Sequence, residues 1–216
     1  KMVEFLRAHR DGKFFLFHPS QLPHGPISIP EIHPSVARNP ELTEMEKEYA
    51  SMVLRLDHTV GVVLKELDAL GIADDTMIVF SSDNGHENYC HTPGRSGSVD
   101  SLPDGTRLDN ITTKFYSDLC NDVFDGNDGM AGLKRTNWEG GARIPFMVKW
   151  PGRTRPGTVC GQMIANYDMF ATFAEMLRQA IPADKDGLSC LPTLRGDDEN
   201  QRMHDYVVCA SFLWGP

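Results

Sequence analysis

Polar residues gather where hydrophobic runs of this 216-residue chain stop. The run "MIVFSS" (residues 77–82) is followed at once by Asp83, Asn84, Gly85 and His86. A carboxylate beside an amide oxygen supplies two donors for a hard cation such as calcium or magnesium. The same Asp-Asn-Gly also makes an ordinary turn after a strand, because Asx side chains hydrogen-bond their own backbone. Spacing alone leaves both readings open.

Two other segments carry comparable chemistry. His24 stands in "SQLPHGPISIPEIHP", a stretch with four prolines behind the apolar run "FFLF". An imidazole there suits a general acid or an anion contact, and equally a solvated surface histidine. "GLKRTNWEGGARIPFMVKWPG" places Lys134 and Arg135 ahead of Glu139-Gly140-Gly141, just before a hydrophobic run. A lysine in such a loop serves as a point charge for an anion, and paired glycines permit close backbone approach. A solvated basic turn accounts for the same pattern. Asp57 receives no catalytic role, and Asp168, ahead of "MFATFAEML", reads as a helix N-cap.

Elements that would hold these groups follow from periodicity. "MVEFL" at the start has the look of a helix interior, so the chain is expected to begin inside a longer protein; the stop signal is Asp11-Gly12. Residues 14–17 suit a strand buried on both faces. Thr43 and Glu46 form a capping-box signature, and Met45, Tyr49, Met52, Leu56, Val60, Val63, Leu67 and Leu70 recur at helical steps until Gly71. Strands are expected over residues 76–82 and 144–150, a second helix within residues 166–180, and a further strand start near residue 204. Residues 86–133 lack periodicity and are far longer than an ordinary connection, which points to a site-serving or disordered loop. This alternation predicts an α/β fold whose ligands gather at the carboxyl ends of strands.

Bulk properties narrow the function. With 21 basic and 30 acidic residues the formal charge is −9, which argues against non-specific nucleic-acid binding. No apolar run approaches the ~20 residues of a membrane-spanning helix. Five cysteines form no CxxC pair, so a cysteine zinc site and a dense disulfide framework are not expected. One disulfide, within the loop that carries Cys90 and Cys120, is compatible with the count.

Taken together, "FFLFHPSQLPHGP", "MIVFSSDNG", "LKRTNWEGGARIPFMVKWPG", "MIANYDMFATFAEML" and "DGLSCLPTLRG" resemble, in order and spacing, the signatures of the formylglycine-dependent sulfatases of arylsulfatase type. The resemblance covers nearly the whole chain. It implies an alkaline-phosphatase-like sandwich with a central, mostly parallel sheet and flanking helices, incomplete at its N-terminal side. Residues 1–203 would be the C-terminal portion of the catalytic domain and residues 204–216 the start of a small subdomain. Asp83 and Asn84 would be two calcium ligands, with magnesium the less fitting ion. His24 would contact the sulfate and protonate the leaving alcohol, Lys134 would hold sulfate oxygens, and Arg143 would serve structure. His86, with Glu87, His91 and Arg95, would read the substrate, a sulfated small molecule or glycan. A periplasmic, secreted or lysosomal location goes with the family.

In that family the nucleophile is a hydrated formylglycine made from a C/S-x-P-x-R motif. None of the five cysteines here begins such a motif; Cys190 has the proline in "CLPTL" but not the arginine. The nucleophile, the remaining metal ligands and a further lysine and histidine would lie upstream, and this segment alone is expected to be inactive. Two rivals keep the scaffold: a phosphatase or phosphodiesterase of the same superfamily, and an inactive metal-binding homologue.

Overall fold

The computed structural model describes residues 1–86, 123–126, 128–197, 201 and 204–209. Two compact units emerge, one built from Lys1–Ile72 with the described part of Asn84–Ile144, the other from Ala73–Asp83 with the described part of Pro145–Ala210.

The first unit is organised by helices. Helix α1 (Met2–His9) and the short α2 (Pro34–Ala37) pack on the long α3 (Glu44–Ala69). The capping box forms as the sequence predicts: the Glu46 amide donates to Thr43 Oγ1 at 3.3 Å, and the Thr43 amide donates to Glu46 Oε2 at 2.6 Å. At the other end Gly71 has φ +70°, and the Gly71 and Ile72 amides donate to Asp68 O and Leu67 O at 3.0 and 3.1 Å. That is a Schellman ending, and it uses glycine's freedom at positive φ. The apolar stripe buries Met52 and Leu67, and Met52 forms a small core with Ile27, flanked by Leu22, Ile29, Met45 and Tyr49. Asp57 lies on the exposed side. A fork from Arg7 to Glu66, at 2.7 and 3.0 Å, ties α1 to α3. Helix α4 (Glu139–Ala142) is a single turn built on the Glu-Gly-Gly sequence.

Residues 14–17 differ from expectation. They join no ladder among the described residues, and Phe15 and Phe17 are exposed. A strand buried on both faces needs neighbours on both edges, and no described strand lies in this unit to provide them.

The second unit holds strands β1 (Ile78–Ser81) and β2 (Phe146–Lys149), each a shorter version of the segment expected. They pair antiparallel, with Ile78 opposite Lys149 and Ser81 opposite Phe146. This ladder, the only one among the described residues, is therefore not a parallel pair of the expected central sheet. Helix α5 (Asp168–Met176) packs on the short α6 (Leu191–Leu194), burying Ala171, Thr172, Cys190 and Leu191. Cys190 is a buried free thiol whose pKa is pushed up by burial, while Cys160 and Cys209 are exposed and free. Cys90 and Cys120 lie outside the described residues, as do Glu87, His91 and Arg95. Residues 204–209 form no strand, and no described helix is long and apolar enough to cross a membrane.

Asp168 departs from the N-cap reading. It is the first helical residue, preceded by Tyr167 at the cap, and its carboxylate reaches backwards and sideways instead of into the helix. Oδ2 accepts from the Ala165 amide at 2.7 Å; Oδ1 accepts from the Leu188 amide and from His204 Nε2, both at 2.8 Å. Two carboxylate oxygens offer more acceptor sites than one cap needs, and here they join three chain segments around a side chain that is 1% exposed.

Candidate functional site

Two loops of the first unit bring predicted site residues together. One is Asn84-Gly85-His86, the other runs from Ala131 through α4 to Arg143. The Gly85 amide donates to Gly141 O at 2.8 Å, and the Lys134 amide donates to His86 O at 2.7 Å. These two bonds tie the amide-bearing segment to the lysine-bearing loop at two points, one ahead of α4 and one within it.

Glycine makes that approach feasible. A Cβ on Gly85 would overlap the Gly140 carbonyl, and one on Gly141 would come within 2.5 Å of the Leu133 and Thr136 carbonyl oxygens. Both positions need the missing side chain for contact between backbones, not for an unusual φ. The second loop is closed further by the Gly140 amide on Ala131 O at 2.8 Å and the Gly141 amide on Trp138 O at 2.9 Å. Arg143 meets Glu139 four residues earlier at 3.7 Å, both side chains exposed.

Within this frame Asn84 is half-buried and donates Nδ2 to Gly85 O at 3.0 Å. That bond orients the amide and identifies Oδ1 as the acceptor atom, the one a hard cation takes. Asp83 is exposed and closes the Ala73–Asp83 stretch of the second unit. As consecutive oxygen donors they suit calcium in kind. Two ligands are fewer than the six to eight calcium takes, and the described residues contain no cluster of three or more His, Cys, Asp or Glu side chains that completes a cage.

Lys134 is half-buried, and among the described residues its ammonium makes no ion pair. His86 is half-buried against the Tyr49 ring at 6.2 Å and packs face-on against Gly126 with no space for a Cβ there. His24 is exposed on its own loop, where the peptide bonds before Pro23 and Pro26 are cis. Its amide donates to Gln21 O at 2.8 Å, and Nδ1 lies 2.7 Å from Gly25 O. A carbonyl can only accept, so Nδ1 is the donor in that bond. The loops of Asn84, His86 and Lys134 are thus joined by hydrogen bonds, whereas His24 is held by its own proline-rich loop.

The close backbone approach expected of Gly140-Gly141 occurs at Gly141 and again at Gly85, whereas Gly132 and Thr136 are not among the residues singled out in the sequence. The glycines of "DNG" and "EGG" mark close backbone approach in the sequence, and no such local signal marks Gly132 or Thr136.

A protein-family model described as Sulfatase matches residues 1–179. The chain is 30% identical to the steryl-sulfatase of Rattus norvegicus over 99% of its own length and 33% of the relative's. It is also 30% identical to an N-acetylgalactosamine-6-O-sulfatase of Bacteroides thetaiotaomicron, over 96% of this chain and 35% of that protein. Among solved structures it resembles one from a Bacteroides thetaiotaomicron core genetic locus for the metabolism of multiple glycosaminoglycans, with a TM-score of 0.64 and 28% identity, covering 93% of this chain and 36% of the other. The chain spans about a third of the length of the curated relatives it matches. The alkaline-phosphatase-like α/β class expected from the sequence holds.

Proposed function

This chain belongs to the sulfatase family, and from that premise we propose that the protein it represents hydrolyses sulfate esters, with Lys134, His24, Asp83 and Asn84 in its active site. The supporting observation is the pair of backbone bonds that sets the Asn84–His86 segment beside the lysine loop. We assign residues 1–203 to the C-terminal portion of the catalytic domain and residues 204–216 to the start of a smaller subdomain.

Sulfate ester cleavage needs three things: an in-line nucleophile, positive charge on the equatorial oxygens, and a proton for the departing alkoxide. Lys134 supplies the second as a compact ammonium whose backbone is fixed before substrate arrives. His24 supplies the third from Nε2, its ring oriented by the Nδ1 contact to Gly25 O. Asp83 and Asn84 would hold calcium, which when bound draws charge from the sulfate oxygens. The nucleophile is proposed to be a formylglycine outside these 216 residues, because no C/S-x-P-x-R motif occurs within them.

A sulfated glycan is the proposed substrate class. Support comes from the relative named for N-acetylgalactosamine-6-O-sulfate chemistry and from the polar segment that follows Asn84. His86 is the substrate-reading candidate within the described residues, its ring steadied by Tyr49.

The test is an assay of the intact protein, matured to formylglycine, on an aryl sulfate and on the matching aryl phosphate. Lys134→Ala and His24→Ala are each expected to lower kcat/KM on the sulfate by about 10² to 10⁴. Unchanged turnover in both variants, or preferential cleavage of the phosphate, would overturn the assignment.

A further inference from the structure

We propose that Thr136 is a positioning residue for Lys134, a role that rests on Lys134 being the sulfate-binding cation of the function proposed above. Residues Leu133 to Thr136 form a tight turn. The Thr136 amide donates to Leu133 O at 3.0 Å, and the Thr136 hydroxyl donates to the same oxygen at 2.8 Å. Lys134 and Arg135 are the two central residues between those ends.

Arg135 has φ +78°. This is the value required at the third position of a type II turn, where glycine or asparagine is the ordinary occupant. An arginine there is disfavoured, and such a conformation persists only where its surroundings over-determine it. Thr136 is what over-determines it on one side, with two donors on one carbonyl. On the other side, the Lys134 amide is bonded to His86 O.

The hydroxyl is also fixed in space. Gly132 and Gly141 are buried, and a Cβ built on either would stand 2.5 or 2.6 Å from Thr136 Oγ1. The oxygen therefore lies in a crevice that the missing side chains of two glycines leave open. A turn held at the Lys134 amide by His86 and closed by Thr136 fixes the backbone from which the Lys134 side chain departs. Such pinning matters for an ammonium that must meet a tetrahedral anion, since a displacement of about 1 Å can cost about 10²-fold in rate.

The discriminating series is Thr136→Val, which keeps the shape and removes the donor, and Thr136→Ser, which keeps the donor. Both are made in the intact enzyme and compared with Lys134→Ala. Steady-state turnover of an aryl sulfate and inhibition by inorganic sulfate are measured below each variant's melting temperature. Thr136→Val is expected to lose about 10- to 100-fold in kcat/KM and to weaken sulfate inhibition, with Thr136→Ser restoring both to within a few-fold. A merely structural threonine would alter thermal stability without moving the sulfate inhibition constant. Should Thr136→Val fail to fold, Thr136→Ala against Thr136→Ser makes the same comparison. Wild-type turnover and sulfate inhibition in the donorless variant, with Lys134→Ala inactive, would overturn the positioning role while leaving the proposed function standing. An active Lys134→Ala would remove the sulfate role of Lys134 and this inference with it.

Discussion

The Lys134 amide donates to His86 O at 2.7 Å. Through that bond a lysine and a histidine separated by 48 positions in the chain are tied together, with Asn84 two residues before the histidine. The neighbouring bond from the Gly85 amide to Gly141 O repeats the pattern. Backbone bonds hold these loops more firmly than side-chain contacts would, because both partners are fixed by the chain on either side. What the two bonds require in return is space, and glycine provides it.

Gly85→Ala tests that requirement. Its Cβ would meet the Gly140 carbonyl, a backbone group that cannot rotate away. Overpacking of this kind costs about 1–3 kcal/mol or more and should separate Lys134 from Asn84. Gly61→Ala is the contrasting case: it lies inside α3, and a Cβ there would meet nothing within 4 Å. Removing a helix-interior glycine should stabilise by about 0.5–1 kcal/mol. Urea unfolding of the two variants in the intact protein is expected to give shifts of opposite sign, and a neutral Gly85→Ala would mean that the loops can part without cost.

Helix α3 was legible in the sequence down to its ends, because its capping box and Gly71 stop are local chemistry that does not depend on the rest of the chain. The strand expected at residues 14–17 was not, since a strand buried on both faces is defined by neighbours and the sequence of one segment does not name them. Within the candidate site, Asp83, Asn84 and Lys134 could be picked out by charge and donor type. Thr136 could not: its importance comes from where the hydroxyl lies relative to two glycines, a three-dimensional property. Asp168 shows the same limit. An aspartate before an apolar helical run is normally a cap, and only the approach of Leu188 and His204 makes it a junction.

If Asp83 and Asn84 hold calcium, the ion binds the folded protein and not the unfolded chain, and stability must rise with its concentration. At 100 times Kd the gain is about 2.7 kcal/mol. Thermal unfolding of the intact protein with and without calcium should show this shift, and the Asp83→Ala/Asn84→Ala double variant should lose it. Equal calcium stabilisation in wild type and double variant would place the ion on other residues.

Acid should release the fork that ties α1 to α3. Hydrogen bonding to Arg7 holds the Glu66 carboxyl below its ordinary value of 4.5. A depressed carboxylate contributes stability that is present above its unfolded pKa and is lost as pH falls through the lower folded value. The stability difference between wild type and Arg7→Met should therefore be constant above about pH 4.5 and shrink below it. Urea midpoints measured over a pH series read this out. A difference that does not change below pH 4.5 would mean that the Arg7 stem, not its charge, does the tying.

The Asp168 junction yields an ordered series. Asp168→Ala strands the Ala165 and Leu188 amides and His204 Nε2 together, and an unsatisfied buried donor costs about 1–3 kcal/mol each. Asp168→Asn keeps one acceptor oxygen but turns an N–H₂ toward whichever donors the lost oxygen served, so it should be intermediate. His204→Ala removes a single donor and leaves both backbone amides paired, so it should be mildest. The expected order of destabilisation in urea unfolding is Asp168→Ala, then Asp168→Asn, then His204→Ala. If His204→Ala proved as costly as Asp168→Ala, the junction would depend on the imidazole, and the two backbone amides would contribute little.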